Sequence, residues 1–160
     1  MKILYLPLIA VALSLGACAT TNPTSKTIPS IMTTKTTTLT SPYGFDDTVR
    51  LLKNTIESKG MTTFAVIDHK QAGQNVGLSM QPATVLVYGN PKAGTPLMQK
   101  DPTFALSLPL KVLVTEINGQ VQVIYTPADE LIKGSKIEPA DVANTLANAE
   151  KLIKATLASK

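Results

Sequence analysis

The dipeptide Asn118-Gly119 is the feature that most limits how this chain can fold. It separates two apolar-rich stretches, Leu110 to Ile117 and Gln120 to Tyr125. Asn-Gly between such stretches favours a two-residue turn in which both residues have positive φ. The pattern therefore predicts an antiparallel β-hairpin.

The turn also sets the register of the hairpin, because a two-residue turn places Ile117 opposite Gln120. Counting back along the strands pairs Val114 with Val123 and Val112 with Tyr125. One face is then apolar throughout and should face the core: Val112, Val114, Val121, Val123 and Tyr125. The opposite face mixes polar and apolar side chains: Lys111, Leu113, Thr115, Ile117, Gln122 and Ile124. A mixed face suits a ligand cavity, the interface of a homodimer or an ordinary, partly covered sheet.

Other regular patterns complete the fold prediction. Lys35 to Thr40 predicts an edge strand, Met61 to Asp68 and Ala83 to Tyr88 predict two more strands, and Pro139 to Ser159 predicts a final helix. A further helix is indicated by acidic residues in its first turn, an apolar stripe and a glycine stop: Asp46 and Asp47, then Phe45, Val49, Leu52 and Ile56, then Gly60. The order strand, helix, four strands, helix predicts one α+β domain over residues 35–160, with an antiparallel sheet and its helices on one face.

The N-terminus has the pattern of a bacterial lipoprotein signal. Lys2 precedes the apolar run Ile3 to Leu13, which is too short to span a bilayer, and Leu15-Gly16-Ala17-Cys18 resembles a lipobox. We expect a signal peptide over residues 1–17, a lipidated Cys18 and a Thr/Ser/Pro-rich tether over 18–34. An ordinary secretory signal or a short uncleaved anchor are the alternatives. Ala19, where inner-membrane lipoproteins usually carry Asp, favours the outer membrane facing the periplasm in a Gram-negative cell.

Composition excludes several functions. Cys18 is the only cysteine, so a lipidated chain has no disulfide and no thiol chemistry. The chain has no Trp and only 4% aromatic residues at a net charge of +4, with its basic residues dispersed, so nucleic acid is not an expected partner. One histidine cannot support a Ser-His-Asp prediction from sequence, and no cofactor is indicated.

Three further segments carry a resemblance to a known family. Asp68-His69-Lys70-Gln71-Ala72, then Gly89-Asn90-Pro91-Lys92-Ala93-Gly94-Thr95-Pro96-Leu97-Met98, then Leu108-Pro109-Leu110-Lys111 together resemble the bacterial family DUF302, a domain of unknown function. The resemblance implies a strand, helix, four-strand, helix fold similar to the TATA-binding-protein-like group. It implies no established activity.

The single histidine, His69, is the first candidate for chemistry. It should end a strand beside Asp68, and neighbours on a strand point to opposite faces, so Asp68 is poorly placed to orient it. Three interpretations remain open: a structural histidine that closes a turn, a ligand-binding or proton-transferring group, or a metal ligand. For the last, copper(I) with a thioether from Met80 or Met98 fits better than zinc.

The segment from Gly89 to Thr95 is the second candidate. Its two glycines have P-loop spacing, but Thr95 stands where that motif needs lysine. A structured turn is predicted instead, with Asn90 and Gly94 at unusual φ and a small anion nest around Lys92 as an alternative. Lys111, at the start of a strand, is expected near the same cleft. The ligand-binding candidates are Asp68, His69, Asn90, Lys92, Thr95 and Lys111.

Two functional classes follow, with a third behind them. The first is a lipid-anchored, non-enzymatic module that binds a small ligand or an envelope protein. The second is an enzyme in which His69 acts as acid or base beside Asn90, Lys92 or Lys111, which requires these side chains to converge. The third is a copper(I) site at His69 and a methionine.

Overall fold

Five antiparallel strands form the centre of the fold in the computed structural model, which describes residues 34–159. Their spatial order is β1-β5-β4-β3-β2, and every neighbouring pair is antiparallel. The strands are β1 Thr37–Thr40, β2 Thr62–Asp68, β3 Ala83–Gly89, β4 Leu110–Ile117 and β5 Gln120–Tyr125. The predicted α+β class and the edge position of β1 are therefore confirmed. The predicted signal peptide, Cys18 and the tether up to residue 33 lie outside the described residues.

The β4–β5 hairpin has the predicted register. Ile117 pairs with Gln120 and Val112 with Tyr125. The turn has positive φ at both positions, 52° at Asn118 and 76° at Gly119, which is what a type I′ turn requires. Four of the residues predicted for the core face are buried, and Val121 packs against them.

Two long helices cover that face. They are α1 Phe45–Ser58 and α6 Leu146–Ala158. The stripe predicted for α1 faces the sheet: Leu52 and Ile56 are each 1% exposed, and Phe45 and Val49 pack beside them. The main core combines residues of both helices and of the three central strands: Leu52, Ile56, Leu86, Tyr88, Val112, Val114, Val123, Tyr125, Ala149, Ile153 and Leu157.

A second apolar cluster lies beyond one end of the sheet. It is built by short elements that the sequence patterns did not predict: α3 Pro91–Lys100, a 3₁₀ helix Pro102–Ser107, and α4 Ala128–Leu131. Its buried members are Leu97, Phe104, Ala128, Ile132, Ile137, Val142 and Leu146. Leu110 packs against both clusters, so this second layer continues the core past the strand ends.

The final helix differs from its prediction because it is broken. A four-residue helix, α5 Pro139–Val142, is followed by a turn, and α6 begins at Leu146. Asn144 and Thr145 have low helix propensity, and Thr145 adopts non-helical angles of φ −125° and ψ −91°. The break sends Val142 into the second cluster, while the later turns of α6 pack on the sheet.

The end of β2 also differs from its prediction. His69 was expected to finish the strand, but it is the first residue of a short helix, α2 His69–Gln74. The helix starts there because the Asp68 carboxylate accepts a hydrogen bond of 2.9 Å from the Gln71 backbone N–H, which makes Asp68 an N-cap. The sequence Asp68-His69 therefore encodes a helix start, and both residues are exposed.

Asp101 joins the short elements of the second cluster. Its carboxylate accepts hydrogen bonds from the Thr103 hydroxyl at 2.7 Å, the Thr103 backbone N–H at 3.0 Å and the Lys136 backbone N–H at 2.9 Å. The side-chain bond from Thr103, followed by the backbone bond from Lys136, holds the pKa of Asp101 below its ordinary value. The residue is only 5% exposed.

These contacts predict an acid-sensitive contribution to stability. A carboxyl whose pKa is lowered by folding stabilises the fold above its ordinary pKa, about 3.9, and this contribution is lost as the pH falls through the lower folded-state value. We expect Asp101→Asn to lower the melting temperature at pH 7, and its difference from wild type to shrink below about pH 4. Thermal melts from pH 7 to pH 2 measure this, with exposed Asp46→Asn as the control. A difference independent of pH would contradict it.

The α2 cap gives a second prediction. Asp68→Ala should lower the free energy of unfolding by about 0.5–2 kcal/mol, the usual cost of losing an N-cap. His69→Ala should change it by less than about 0.5 kcal/mol, because the side chain is exposed. Urea unfolding of the two variants compares them directly. A larger loss for His69→Ala than for Asp68→Ala would show that the imidazole has a structural role.

Candidate functional site

Two of the three segments that carry the family resemblance meet at one cavity. The segment Gly89–Met98 leaves β3 and forms α3, and the segment from Leu108 leads through a cis peptide bond at Pro109 into β4. Both border a cavity of about 440 Å³ on the helix-covered side of the sheet end, which is within the range of small-molecule sites. The described residues that line it are Met61, Phe64, Gly89, Asn90, Pro91, Ala93, Gly94, Thr95, Met98, Leu108, Pro109, Leu110, Thr145, Leu146 and Ala149.

The exposure of the lining residues defines a floor and a mouth. Gly94, Leu146 and Ala149 are buried and form the floor, and side chains of β4 and α3 make the walls. The exposed lining residues form the mouth: Phe64, Asn90, Pro91 and Thr95. The break before α6 shapes this cavity, because Thr145 and Leu146 on either side of the new helix start both line it.

The structured turn predicted over Gly89–Thr95 is wrong, because helix α3 begins at Pro91. The segment is helical because the Asn90 side chain accepts a hydrogen bond from the Lys92 N–H at 3.0 Å and Pro91 occupies the first helical position. Gly94 sits inside the helix and has no positive φ. Its small size matters instead, since an added Cβ would lie 3.3 Å from Leu108 Cδ1. The glycine lets α3 approach the segment before β4.

The helix start also bears on the predicted anion nest. The Lys92 N–H is bonded to the Asn90 side chain, and the Ala93 and Gly94 N–H groups donate to the Asn90 carbonyl at 2.9 Å each. The amides that would bind an anion are therefore engaged within the helix cap. Lys92 is exposed and does not line the cavity.

The cavity has almost no polar chemistry. None of its described lining residues is ionisable, and its polar side chains are those of Asn90, Thr95 and Thr145. Asn90 and Thr95 stand at the exposed mouth, and the Thr145 hydroxyl donates to the Asp141 carbonyl at 3.3 Å. Such a surface can bind an apolar molecule, and its described lining contains no carboxylate, imidazole or amine.

A much smaller polar cavity, of about 10 Å³, adjoins it across Leu110 and Leu146, which line both. Tyr88, Tyr125 and Glu150 line the smaller one. Burial, with smaller effects from Tyr125 and Glu150, raises the pKa of the Tyr88 hydroxyl, so it stays protonated. Glu150 accepts a hydrogen bond from the Ala128 N–H and so ties α6 to α4.

His69 does not belong to the larger cavity. Asp68 pairs with Thr84 at one end of β3, whereas Thr62 pairs with Gly89 at the other. At about 3.3 Å per residue, His69 and Asn90 lie roughly 20 Å apart. The convergence that the enzyme hypothesis requires is absent between these described residues.

The remaining candidates are divided in the same way. Met80 packs against α2, since a Cβ added to Gly73 would lie 3.9 Å from the Met80 Sδ. Met80 is therefore at the same end of the sheet as His69. Met98 lines the cavity at the opposite end. Lys111 is exposed on the open face of β4, opposite Val87, and lines only the smaller cavity.

Sequence patterns missed part of the site. Met61 and Phe64 belong to a segment predicted only as a strand, and Thr145, Leu146 and Ala149 to one predicted only as helix. A β-bulge between Thr63 and Ala65 is the local irregularity that sets Phe64 apart from the regular alternation of β2. Nothing in the spacing of these residues signalled a shared cavity, because they come together only through packing.

Two further observations concern residues 34–159. No cluster of three or more His, Cys, Asp or Glu side chains in this part of the chain is placed to hold a metal ion. No helix within it is long and apolar enough to cross a membrane.

Comparison with solved structures supports the fold. The crystal structure of an uncharacterized conserved DUF302 protein from Bacillus stearothermophilus matches with a TM-score of 0.65 at 22% sequence identity, covering 77% of this chain and 95% of that one. At this identity the likeness concerns the fold alone.

Curated relatives match over part of their length. Two proteins named fluoride-specific ion channel FluC 1, from Brucella suis biovar 1 (strain 1330) and Brucella abortus biovar 1 (strain 9-941), are each 32% identical over 100 residues. The match covers 62% of this chain but only 39% and 37% of those proteins. The chain thus spans well under half the length of the curated relatives it matches.

The family model for the domain of unknown function DUF302 matches residues 37–156, from the first residue of β1 to the last full turn of α6. The match includes all five strands and every residue that lines the cavity. The chain therefore belongs to the DUF302 family.

Proposed function

We propose that this protein is a non-enzymatic binding module that holds a small, uncharged, apolar molecule in the cavity between α3, α6 and the end of the sheet. The observation that carries the proposal is a cavity of about 440 Å³ whose described lining contains no ionisable side chain. A charged group buried there would lose hydration without gaining a partner, which disfavours charged ligands.

Burial of apolar surface supplies the binding free energy in this proposal. Each methylene group moved from water into such a site contributes about 0.8 kcal/mol. The walls contain two methionines, Met61 and Met98, whose unbranched side chains adapt to ligands of different shape. The enzyme alternative has no comparable support, because His69 is remote from the cavity and the lining offers no group that transfers a proton.

Filling the cavity should abolish binding. Ala93 lines the cavity from α3 and is half-buried, so Ala93→Phe introduces a ring into the space. We expect the affinity for N-phenyl-1-naphthylamine, a neutral dye that fluoresces in apolar sites, to fall at least about tenfold, the equivalent of 1.4 kcal/mol. Fluorescence titration of the full chain measures it.

The matched control is Gln99→Phe, which places the same ring on the exposed side of the same helix. It should bind the dye as wild type does, and both variants should keep the wild-type circular dichroism spectrum. Failure of the full chain without attached lipid, Cys18→Ala, to bind the dye, or equal binding by that chain with and without Ala93→Phe, would contradict the proposal.

We further propose that the module acts at the cell envelope, anchored by lipid on Cys18. The support is the lipobox-like sequence Leu15-Gly16-Ala17-Cys18 after a short apolar run. The Brucella relatives are named as ion channels, which are membrane proteins, so a related sequence occurs in proteins named for a membrane function. No channel activity is carried over from that partial match.

The anchor has a direct test. Expressed in a Gram-negative host, the full chain should yield a mature protein that begins at Cys18, with the mass of a diacylglyceryl group and an added acyl chain, in the outer-membrane fraction. Cys18→Ala should remain unprocessed, and Ala19→Asp should move the protein to the inner membrane. Intact-mass spectrometry of the fractions measures all three. A mature N-terminus at another residue, without lipid, would contradict the proposal.

A further inference from the structure

We infer that the ligand of this cavity is a linear acyl chain, an inference that rests on the proposed function and specifies its ligand class. The first argument is size. A methylene group occupies about as much space as a water molecule does in the liquid, roughly 30 Å³. A cavity of about 440 Å³ therefore holds roughly 15 methylene groups, which is the length of a common lipid tail.

The second argument is the chemistry of the floor and walls. Phe64 is the one aromatic side chain among the described lining residues, and it stands at the mouth. The deeper lining is aliphatic or thioether: Met61, Met98, Leu108, Leu110 and Leu146. A planar ring system can enter by apolar burial but finds no stacking partner at the floor, whereas a flexible chain gains contact with each of these side chains.

The third argument is the position of the polar groups. The Thr145 hydroxyl is already bonded to the Asp141 carbonyl, so it offers no vacant donor to a ligand. Asn90 and Thr95 lie at the exposed mouth. A ligand that fits this arrangement is apolar along its buried length and carries its polar group at the end that remains in solvent. An acyl chain has this distribution of polarity.

Two sources could supply such a chain: the lipid expected on Cys18, or a separate lipid of the envelope. The described chain enters β1 at Thr37, which pairs with Tyr125, and Tyr125 pairs with Val112. Val112 is two residues from Leu110 in the cavity wall, so β1 begins at the end of the sheet where the cavity lies. Both sources would present the same group to the cavity, a linear acyl chain.

The test measures affinity against chain length. Straight-chain alcohols from 1-octanol to 1-octadecanol compete with N-phenyl-1-naphthylamine on the full chain carrying Cys18→Ala, which has no attached lipid. We expect affinity to rise about fourfold with each methylene, the equivalent of 0.8 kcal/mol, and to level off near 15 carbons. Only signal that is lost when Ala93→Phe is added counts as cavity binding.

A smaller substitution supplies the specific control. Ala93→Leu fills part of the cavity, so the length at which affinity levels off should shorten by about three methylene groups. Gln99→Leu, on the exposed side of α3, should leave it unchanged. The acyl-chain inference is overturned if affinity is independent of chain length. It is also overturned if affinity keeps rising to 18 carbons both with and without Ala93→Leu in the Cys18→Ala chain. In that case dye binding that Ala93→Phe abolishes still supports the proposed function, whereas a lack of any dye binding overturns both.

Comparison of the lipidated chain with Cys18→Ala distinguishes the two sources. If the attached lipid occupies the cavity, the lipidated chain excludes the dye and Cys18→Ala takes it up. If the lipid is a separate molecule, both forms take up the dye and alcohols displace it from both. Either pattern supports an acyl chain as the ligand, and displacement from neither form overturns the inference.

Discussion

Alternation along the three central strands sends Leu86, Val112 and Val123 to one side of the sheet, where none of them retains any exposed surface. A sheet that buries one face needs a cover, and α1 and α6 provide it with Leu52, Ile153 and their neighbours. The positions of both helices, and of the chain segments that leave the strand ends, depend on this one layer of apolar contact. The cavity exists where that cover stops.

At that end of the sheet, short helical segments rather than strands form the apolar packing. The strands finish, and the chain continues as α3 and the 3₁₀ helix, which pack against the start of α6 in a second apolar cluster. Gly94 allows α3 to lie close to Leu108, and the break at Thr145 lets α5 and α6 bury side chains in different clusters. The space between the two clusters is the cavity. Its apolar character follows from its origin as a gap between two hydrophobic cores, and this is why a hydrocarbon chain suits it better than a polar substrate.

The separation of His69 from Asn90 bears on the enzyme hypothesis, which requires the two side chains to converge. The segments that hold them are both short, polar and close to glycines, and in sequence they look equivalent. The antiparallel pairing of β2 with β3 places them at opposite ends of the same strand pair. The Asp68–Gln71 contact then accounts for the local sequence at the His69 end as a helix cap, while the Asn90 end borders the cavity. A binding module needs only the second of these ends, whereas the enzyme required both.

Local and periodic features could be predicted from the sequence by itself. The Asn118-Gly119 turn determines the register of its hairpin because both residues tolerate positive φ, and the 3.6-residue stripe of α1 identifies Leu52 and Ile56 as core residues because the period of a helix is regular. The position of β2 at the other edge of the sheet, the break before Leu146 and the existence of the cavity were decided only by tertiary structure. Each depends on residues far apart in the chain coming together, as Gly94 does with Leu108, and no spacing rule encodes which distant segments will share a cavity. Asn90 shows most clearly where prediction from sequence ends. Its sequence context suggested an unusual backbone conformation. The helix that begins after Asn90, and the cavity wall that this helix forms, depend on packing against the rest of the fold.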